Sequence, residues 1–217
     1  MRQNWILTYP LIFSVLLSTT LLSAFEPGDQ QFWHAEKLSY ALGERHRLTL
    51  EQDFRSGNQA TDLYYVHSDF GIQRKVKPFL TWSLHFREAF VDGSEGWFPE
   101  HRPYGQFVVK WPFGPFSSAT RMRFEYRILP AEQKVRNRDM ITLKLRRSFM
   151  PLKLVPYVAD EIFYSLKDQE LKRNRFYVGL AVKRFSRVAP VFYYMYQSSL
   201  KKGAWSGINV WGIKIGL

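Results

Sequence analysis

Alternation of apolar and polar residues runs through most of the chain and constrains its fold more than any other feature. In residues 121–128, Arg-Met-Arg-Phe-Glu-Tyr-Arg-Ile, charged and apolar residues take turns. Successive side chains of a β-strand point to opposite faces, so a strand separates the two sets whereas a helix mixes them. The pattern predicts an all-β chain. Its candidate strands are residues 31–42, 44–55, 62–73, 79–91, 104–111, 119–129, 138–149, 153–165, 174–185, 189–199 and 207–217.

The lengths of the segments and their connections favour a membrane barrel. Each segment can cross a bilayer, for which a tilted strand needs about 9 to 11 residues. Short turns at one end and longer loops at the other are typical of outer-membrane barrels. We therefore predict a transmembrane antiparallel up-and-down β-barrel of 10 to 12 strands. Because bacterial barrels usually have an even number of strands, we expect ten or twelve, with the error near the N-terminus. The expected turns are Gly43, 74–78, 112–117 and 150–151, and the expected loops are 92–103, 130–136, 167–174 and 201–207.

The first 24 residues predict a cleaved signal peptide. Residues 3–25 carry no charge, Arg2 precedes them, and the small-residue site Leu22-Ser23-Ala24 stands where polarity is about to return. A retained membrane helix is the alternative, although Pro10 weakens it. We expect export with cleavage after Ala24, which leaves residues 25–217 as a single barrel domain in the outer membrane of a Gram-negative bacterium.

The composition excludes several classes of function. With 46% hydrophobic and 17% aromatic residues the chain is too apolar for disorder, and without cysteine it has no disulfide, thiolate metal site or cysteine nucleophile. The net charge of +12 suits nucleic acid, anionic lipid or an acidic ligand. An exported chain rarely meets nucleic acid, so we expect no nucleic acid partner and instead expect outer-membrane lipid and lipopolysaccharide, although half-paired charges inside a barrel give the same count. We expect no metal and no cofactor, because His34, His46, His67 and His101 lack metal-ligand spacing.

Alternation alone does not say which face meets lipid. A soluble exported barrel that binds an apolar ligand is the alternative, and it places Trp82, Phe124 and Ile213 inside. Aromatic residues near the segment ends favour the membrane barrel, where they form girdles. These residues are Trp33, Tyr40, Tyr65, Phe90, Tyr104, Trp111, Phe149, Tyr164, Tyr193 and Trp211.

The last seven residues resemble the C-terminal signal of outer-membrane proteins. Gly212, Ile215 and Leu217 fit its spacing, Trp211 and Ile213 continue the alternation, and the usual terminal aromatic residue is absent. We therefore expect the barrel assembly machinery to be a partner, and the barrel to be a monomer or a small oligomer.

Several segments together resemble the exported bacterial family catalogued as domain of unknown function 2490. The resemblance implies an outer-membrane β-barrel whose biochemical role is not established. It rests on Trp33, Leu50-Glu51-Gln52-x-x-Arg55, Arg121-x-Arg123-x-x-x-Arg127, Pro156-Tyr157-x-x-Asp160-Glu161-x-Phe163, Asn174-Arg175-x-x-x-Gly179-Leu180 and Tyr194-Met195-Tyr196-Gln197.

If lipid covers the apolar face, the charged residues line the lumen. A barrel of about ten strands has room for little beyond its own side chains, and buried charges must be paired or hydrated. We expect a polar network that fills and stiffens the barrel, with a selective path for a small anion or a lipid head group as the alternative. The function is then structural, binding or that of a narrow pore. The predicted network contains Glu51, Arg55, Arg87, Arg121, Arg123, Glu125, Arg127, Glu161 and Arg175.

A catalytic interpretation depends on Ser83 and His85, which lie two residues apart and so on one face of a strand. With Glu161 or Asp160 as an orienting acid they would make a nucleophilic site, as in an outer-membrane lipid-modifying hydrolase. Two polar lumen residues explain the pair as well, so we favour a chain without catalytic activity.

Overall fold

A computed structural model describes residues 27–149, 151–185 and 188–217, and the expected signal segment 1–24 lies outside them. The described residues form one closed barrel of eleven strands. They contain no helix that is long and apolar enough to cross a membrane. The strands are β1 (Gln30–Leu42), β2 (His46–Gly57), β3 (Asp62–Lys77), β4 (Leu80–Gly93), β5 (Gly96–Phe113), β6 (Phe116–Ile128), β7 (Gln133–Leu145), β8 (Leu154–Ser165), β9 (Glu170–Val182), β10 (Ala189–Lys201) and β11 (Ala204–Gly216).

Each strand pairs antiparallel with the next, and the barrel closes through a parallel pair, β1 with β11. The even strand number expected from the sequence is wrong for the described residues, because all eleven candidate segments are strands. When neighbours alternate in direction, an odd number makes the first and last strands run the same way. The start of β1 and the end of β11 therefore lie at opposite ends, which we call the N-terminal mouth and the C-terminal mouth.

The predicted contrast between short turns and long loops is wrong. The connections at the N-terminal mouth are all short, and the two longest connections lie at the C-terminal mouth. Most of the expected loop 92–103 belongs to β4 and β5, and most of 201–207 belongs to β10 and β11. The N-terminal mouth carries connections 58–61, 94–95, 129–132, 166–169 and 202–203, and the C-terminal mouth carries 43–45, 78–79, 114–115 and the described residues of 146–153 and 183–188.

The two faces of the barrel differ sharply in polarity. Phe124 is 52% exposed on the outer face, whereas Glu125 beside it is fully buried in the lumen. Trp82 and Ile213 lie on the outward positions of β4 and β11, by the same alternation. The soluble-barrel alternative, which needs these three residues inside, is therefore wrong.

The expected aromatic residues divide between the two faces. Tyr40, Phe90, Phe149, Tyr164 and Trp211 are exposed on the outside, but Trp33, Tyr65, Tyr104 and Tyr193 are buried and do not belong to a girdle. The correction follows from their lumen-facing positions, where arginine side chains lie over the aromatic rings. The guanidinium carbon of Arg55 is 3.8 Å from the Trp33 ring centre, and that of Arg123 is 4.2 Å from the Tyr104 ring centre.

The C-terminal strand completes the wall of the barrel. The Leu217 amide donates to the Lys37 carbonyl at 2.8 Å, and the Ser39 amide donates to the Leu217 carbonyl at 3.0 Å. Gly212 faces the lumen beneath Tyr193, where a Cβ atom would lie 2.1 Å from the Tyr193 ring. Its neighbours Trp211, Ile213 and Ile215 alternate toward the outer face.

Candidate functional site

The middle of the lumen is filled by two buried glutamates and five arginines, which we call the central arginine cluster. Arg138 joins the glutamates, since it donates through Nη1 to Glu125 Oε1 and through Nη2 to Glu161 Oε1, both at 2.7 Å. Glu161 also accepts from Arg121, lies 3.6 Å from Arg175 Nη1 and accepts from the Tyr177 hydroxyl at 3.2 Å. Glu125 also accepts from Arg136 Nη2 at 2.5 Å and lies 3.4 Å from Arg123 Nη1.

A cavity of about 240 Å³ opens above this cluster at the N-terminal mouth. Glu100 is the single carboxylate that lines it among the described residues, and it is shared by Arg102 at 2.7 Å and Arg127 at 2.6 Å. We call this cavity the arginine vestibule. Its arginines are Arg55, Arg87, Arg102, Arg127, Arg136, Arg138, Arg173 and Arg175.

Positive charge exceeds negative charge across the lumen. Within the described strands and apart from the C-terminal mouth, ten arginines face six carboxylates on the lumen side. Arg173 has no carboxylate within salt-bridge distance among the described residues, and its Nε donates to Ser199 Oγ at 3.0 Å. The ten are Arg121, Arg123 and the eight of the vestibule, and the carboxylates are Glu51, Asp53, Asp69, Glu100, Glu125 and Glu161.

A second polar group lies in the lumen on β3 and β4. His85 Nε2 lies 3.0 Å from Ser83 Oγ, and His85 Nδ1 lies 2.8 Å from Asp69 Oδ1. All three side chains are buried. The expected orienting acids are wrong: Glu161 is held in the central arginine cluster, and Asp160 accepts from Asn174 Nδ2 at 2.9 Å. Asp69 takes their place because β3 pairs directly with β4.

A second cavity, of about 380 Å³, opens at the C-terminal mouth. Among its lining residues are Gln73 and Thr81, which are the cross-strand partner of Ser83 and its neighbour two residues along β4. Four cationic side chains and one carboxylate line this cavity in the described residues, and we call it the C-terminal vestibule. The charged residues are Arg45, Arg47, Lys75, Lys110 and Glu44.

The remaining residues of the predicted network also lie in the lumen, near β2. Arg55 Nε donates to Asp53 Oδ1 at 2.6 Å, and Arg87 Nε donates to Asp69 Oδ2 at 2.9 Å. Glu51 Oε1 is 3.7 Å from Arg87 Nη2 and 3.4 Å from His67 Nε2. The described residues contain no group of three or more His, Asp or Glu side chains arranged to hold a metal ion.

Several lumen residues were not predicted from the sequence, although the alternation along their strands identifies them. Asp69 alternates with His67 and Gly71 on β3, and Arg136 alternates with Arg138 on β7. Arg136 was placed in a loop because the expected strand began at residue 138. The same alternation also identifies three further charged lumen residues that were not predicted, Glu100, Arg102 and Arg173.

Comparison with known proteins connects this barrel to a family and a fold. A family model described as a protein of unknown function, DUF2490, matches residues 30–207, which confirms the resemblance drawn from the residue pattern. Comparison with curated proteins gives no match. Among solved structures, the chain resembles the NanC porin in a rhombohedral crystal form, with a TM-score of 0.50 and 11% sequence identity over 83% of this chain and 93% of that chain. At that identity the likeness is one of fold, and it agrees with the all-β barrel predicted from the sequence.

Proposed function

The chain belongs to the family of unknown function DUF2490, and we propose that it is a bacterial outer-membrane barrel that binds small anions in its arginine vestibule. The observation that carries the proposal is the set of eight arginines and one carboxylate around a cavity of about 240 Å³. Arginine presents several fixed donors that match carboxylate and phosphate oxygens, so such a lining selects anions.

The apolar outer face supports the location in a membrane. The strands are 12 to 18 residues long, which exceeds the about 9 to 11 residues that one crossing needs. Phe70, Leu84 and Val178 are about half exposed on the outside, although burial would stabilise them in water. A porin-like fold is consistent with the same location.

Filling of the middle of the lumen favours binding over open conduction. The central arginine cluster lies between the two vestibules. Met195 and Val210, both fully buried, pack in one apolar cluster with Tyr177, whose hydroxyl donates to Glu161. An anion that enters the arginine vestibule therefore meets a packed floor. Its oxygens can be contacted by the walls of the vestibule, which is the geometry of a binding site.

Calorimetry on the folded full-length exported chain in detergent tests the proposal, with inorganic pyrophosphate as the probe. Arg173→Gln should weaken binding by about tenfold or more, the effect of losing a hydrogen bond to a charged group. Lys172→Gln is the matched control, since it removes one charge one residue away, from a side chain that is paired outside the lumen with Glu170 at 2.6 Å. We expect its affinity to change by less than about twofold, because an exposed charge is screened.

Two results would contradict the proposal. One is the absence of binding heat from a barrel that migrates as folded on an unboiled gel, and the other is an equal effect of the two substitutions. Adding lipopolysaccharide distinguishes a free anion from a lipid headgroup. Competition with pyrophosphate identifies the headgroup as a further occupant of the vestibule.

A further inference from the structure

We propose that Ser83, His85 and Asp69 form a hydrolytic triad that cleaves esters of small acidic molecules entering from the C-terminal vestibule. The three side chains have the order and spacing that this chemistry needs. Ser83 Oγ is 3.0 Å from His85 Nε2, and His85 Nδ1 is 2.8 Å from Asp69 Oδ1. A nucleophile within hydrogen-bond reach of a base, with the base oriented by an acid, defines such a site by geometry and not by sequence order.

The acid is held so that one oxygen serves the histidine. Arg87 Nε and the Tyr104 hydroxyl both donate to Asp69 Oδ2, at 2.9 and 2.7 Å. Oδ1 is therefore left to accept from His85. The salt bridge with Arg87 also neutralises the charge of Asp69. Asp69 therefore needs neither His85 nor Ser83 for charge balance.

The imidazole ring is fixed by its packing as well. The Tyr104 ring stacks on the His85 ring with centres 4.6 Å apart and planes inclined by 5°. On the opposite strand stands Gly71, where a Cβ atom would lie 2.2 Å from His85 Nδ1. Only glycine leaves the ring room to reach Asp69. A base held in a single orientation by its neighbours is what a general-base step requires.

The reaction is an ordinary ester hydrolysis with water as the second substrate. With its proton on Nδ1, His85 accepts the Ser83 hydroxyl proton at Nε2 while Ser83 Oγ forms a bond to the carbonyl carbon. The ester C–O bond then breaks, and His85 returns the proton to the departing alcohol. Water then attacks the acyl carbon while His85 Nε2 accepts its proton, the bond between the acyl carbon and Ser83 Oγ breaks, and His85 returns the proton to Oγ as the carboxylic acid leaves.

Neighbouring side chains supply the remaining parts of the site. Gln106 is the cross-strand partner of Ser83 on β5, and its Oε1 accepts from Arg123 Nε at 2.9 Å. This contact assigns the amide orientation, and we assign its Nε2 group as the donor to the developing oxyanion.

Access and substrate class follow from the C-terminal vestibule. Thr81, two residues before Ser83 on the same face, lines it, so the nucleophile lies about 7 Å below that lining residue. The volume of about 380 Å³ is that of a small-molecule site. The four cationic side chains around it favour an ester that carries a carboxylate or a phosphate.

A serine-directed fluorophosphonate tests the nucleophile directly. The folded exported chain in detergent is incubated with a small alkyl fluorophosphonate, and the labelled residue is located by mass spectrometry. We expect one adduct, at Ser83. Ser83→Ala should abolish it and Asp69→Asn should slow it by about 100-fold or more. Ser118→Ala is the control, since Ser118 is equally buried, at 1% exposure against 2%, and should leave labelling unchanged.

Hydrolysis of two nitrophenyl esters tests the substrate class. The half-ester of a dicarboxylic acid should be cleaved with a higher kcat/KM than neutral nitrophenyl acetate, and Lys110→Gln should raise KM for the acidic ester alone. A folded barrel that takes up no label, an adduct that persists in Ser83→Ala, or equal turnover in Asp69→Asn would overturn the proposal. Gel mobility with and without boiling checks that each variant is folded.

Discussion

At the scale of single residues, each buried glutamate of the lumen contacts two or more arginines. Glu161 is 1% exposed and contacts Arg121, Arg138 and Arg175. Glu161→Gln removes the charge that balances them and leaves the guanidinium groups buried together. We expect the free energy of unfolding to fall by about 3 to 5 kcal/mol, as when one partner of a buried pair is lost. Denaturant titration of the barrel in lipid vesicles measures it.

The control for that substitution is Glu132→Gln. Glu132 pairs with Lys134 at the N-terminal mouth, where both side chains are more than 40% exposed. Water screens such a pair, so the unfolding midpoint should not change measurably. If Glu132→Gln lowered the free energy of unfolding as much as Glu161→Gln, burial in the central arginine cluster would not be the cause of the loss.

Alternation identifies which residues face the lumen but not which of them meet. The sequence identifies as lumen residues Glu51, Glu125 and Glu161, because each alternates along its strand with apolar residues of the opposite face. Glu161 or Asp160 was expected as the partner of His85, whereas Asp69 takes that place, because the partner depends on which strands are neighbours. A side-chain contact between strands is fixed by pairing register, which a single sequence does not specify.

At the scale of strands, the parallel closure of β1 with β11 is the most testable feature. The chain has no cysteine, so any disulfide that forms must join the two introduced cysteines. Phe32 lies opposite Trp211 and Glu36 lies opposite Ile215. Cysteine pairs at both of these positions should form disulfides, because their Cα atoms lie at neighbouring-strand spacing. Mobility of the oxidised, boiled chain on a gel measures the bond.

The mismatched pair Phe32→Cys with Ile215→Cys is the control. In parallel pairing these residues are offset by four positions, or about 13 Å along the strands, so no disulfide should form. Antiparallel closure can bring together Phe32 and Trp211 or Glu36 and Ile215, but not both in one register. Cross-linking of only one of the two matched pairs would therefore contradict the parallel arrangement.

Strand positions were largely predictable, whereas strand ends and the closure were not. The candidate segment 104–111 covers only part of β5, which spans Gly96–Phe113. Pro99 and Pro103 gave that stretch the composition of a loop, because proline cannot donate to a ladder. The pairing of β5 with β6 indeed skips Arg102 and Pro103. Whether the number of strands is odd or even is decided where the first and last strands pair. No local sequence pattern reports on that pairing.

At the scale of the whole molecule, the inverted distribution of polarity predicts that folding depends on a membrane. Phe124, near the middle of β6, is half exposed on the outer face. Phe124→Arg should reduce insertion into lipid vesicles, because arginine on the lipid face near the bilayer midplane costs about 2 to 4 kcal/mol. The fraction of chain that shows heat-modifiable gel mobility measures insertion.

Depth in the membrane distinguishes this effect from a general intolerance of arginine. Phe113 ends β5 at the C-terminal mouth and is 61% exposed on the barrel surface. Near the interface the same substitution costs only about 0 to 1 kcal/mol, so Phe113→Arg should insert almost as well as the unaltered chain. Equal insertion of both variants would mean that lipid does not cover the outer face at Phe124. The order expected of a membrane barrel is instead a loss that grows from the mouth toward the middle of the wall.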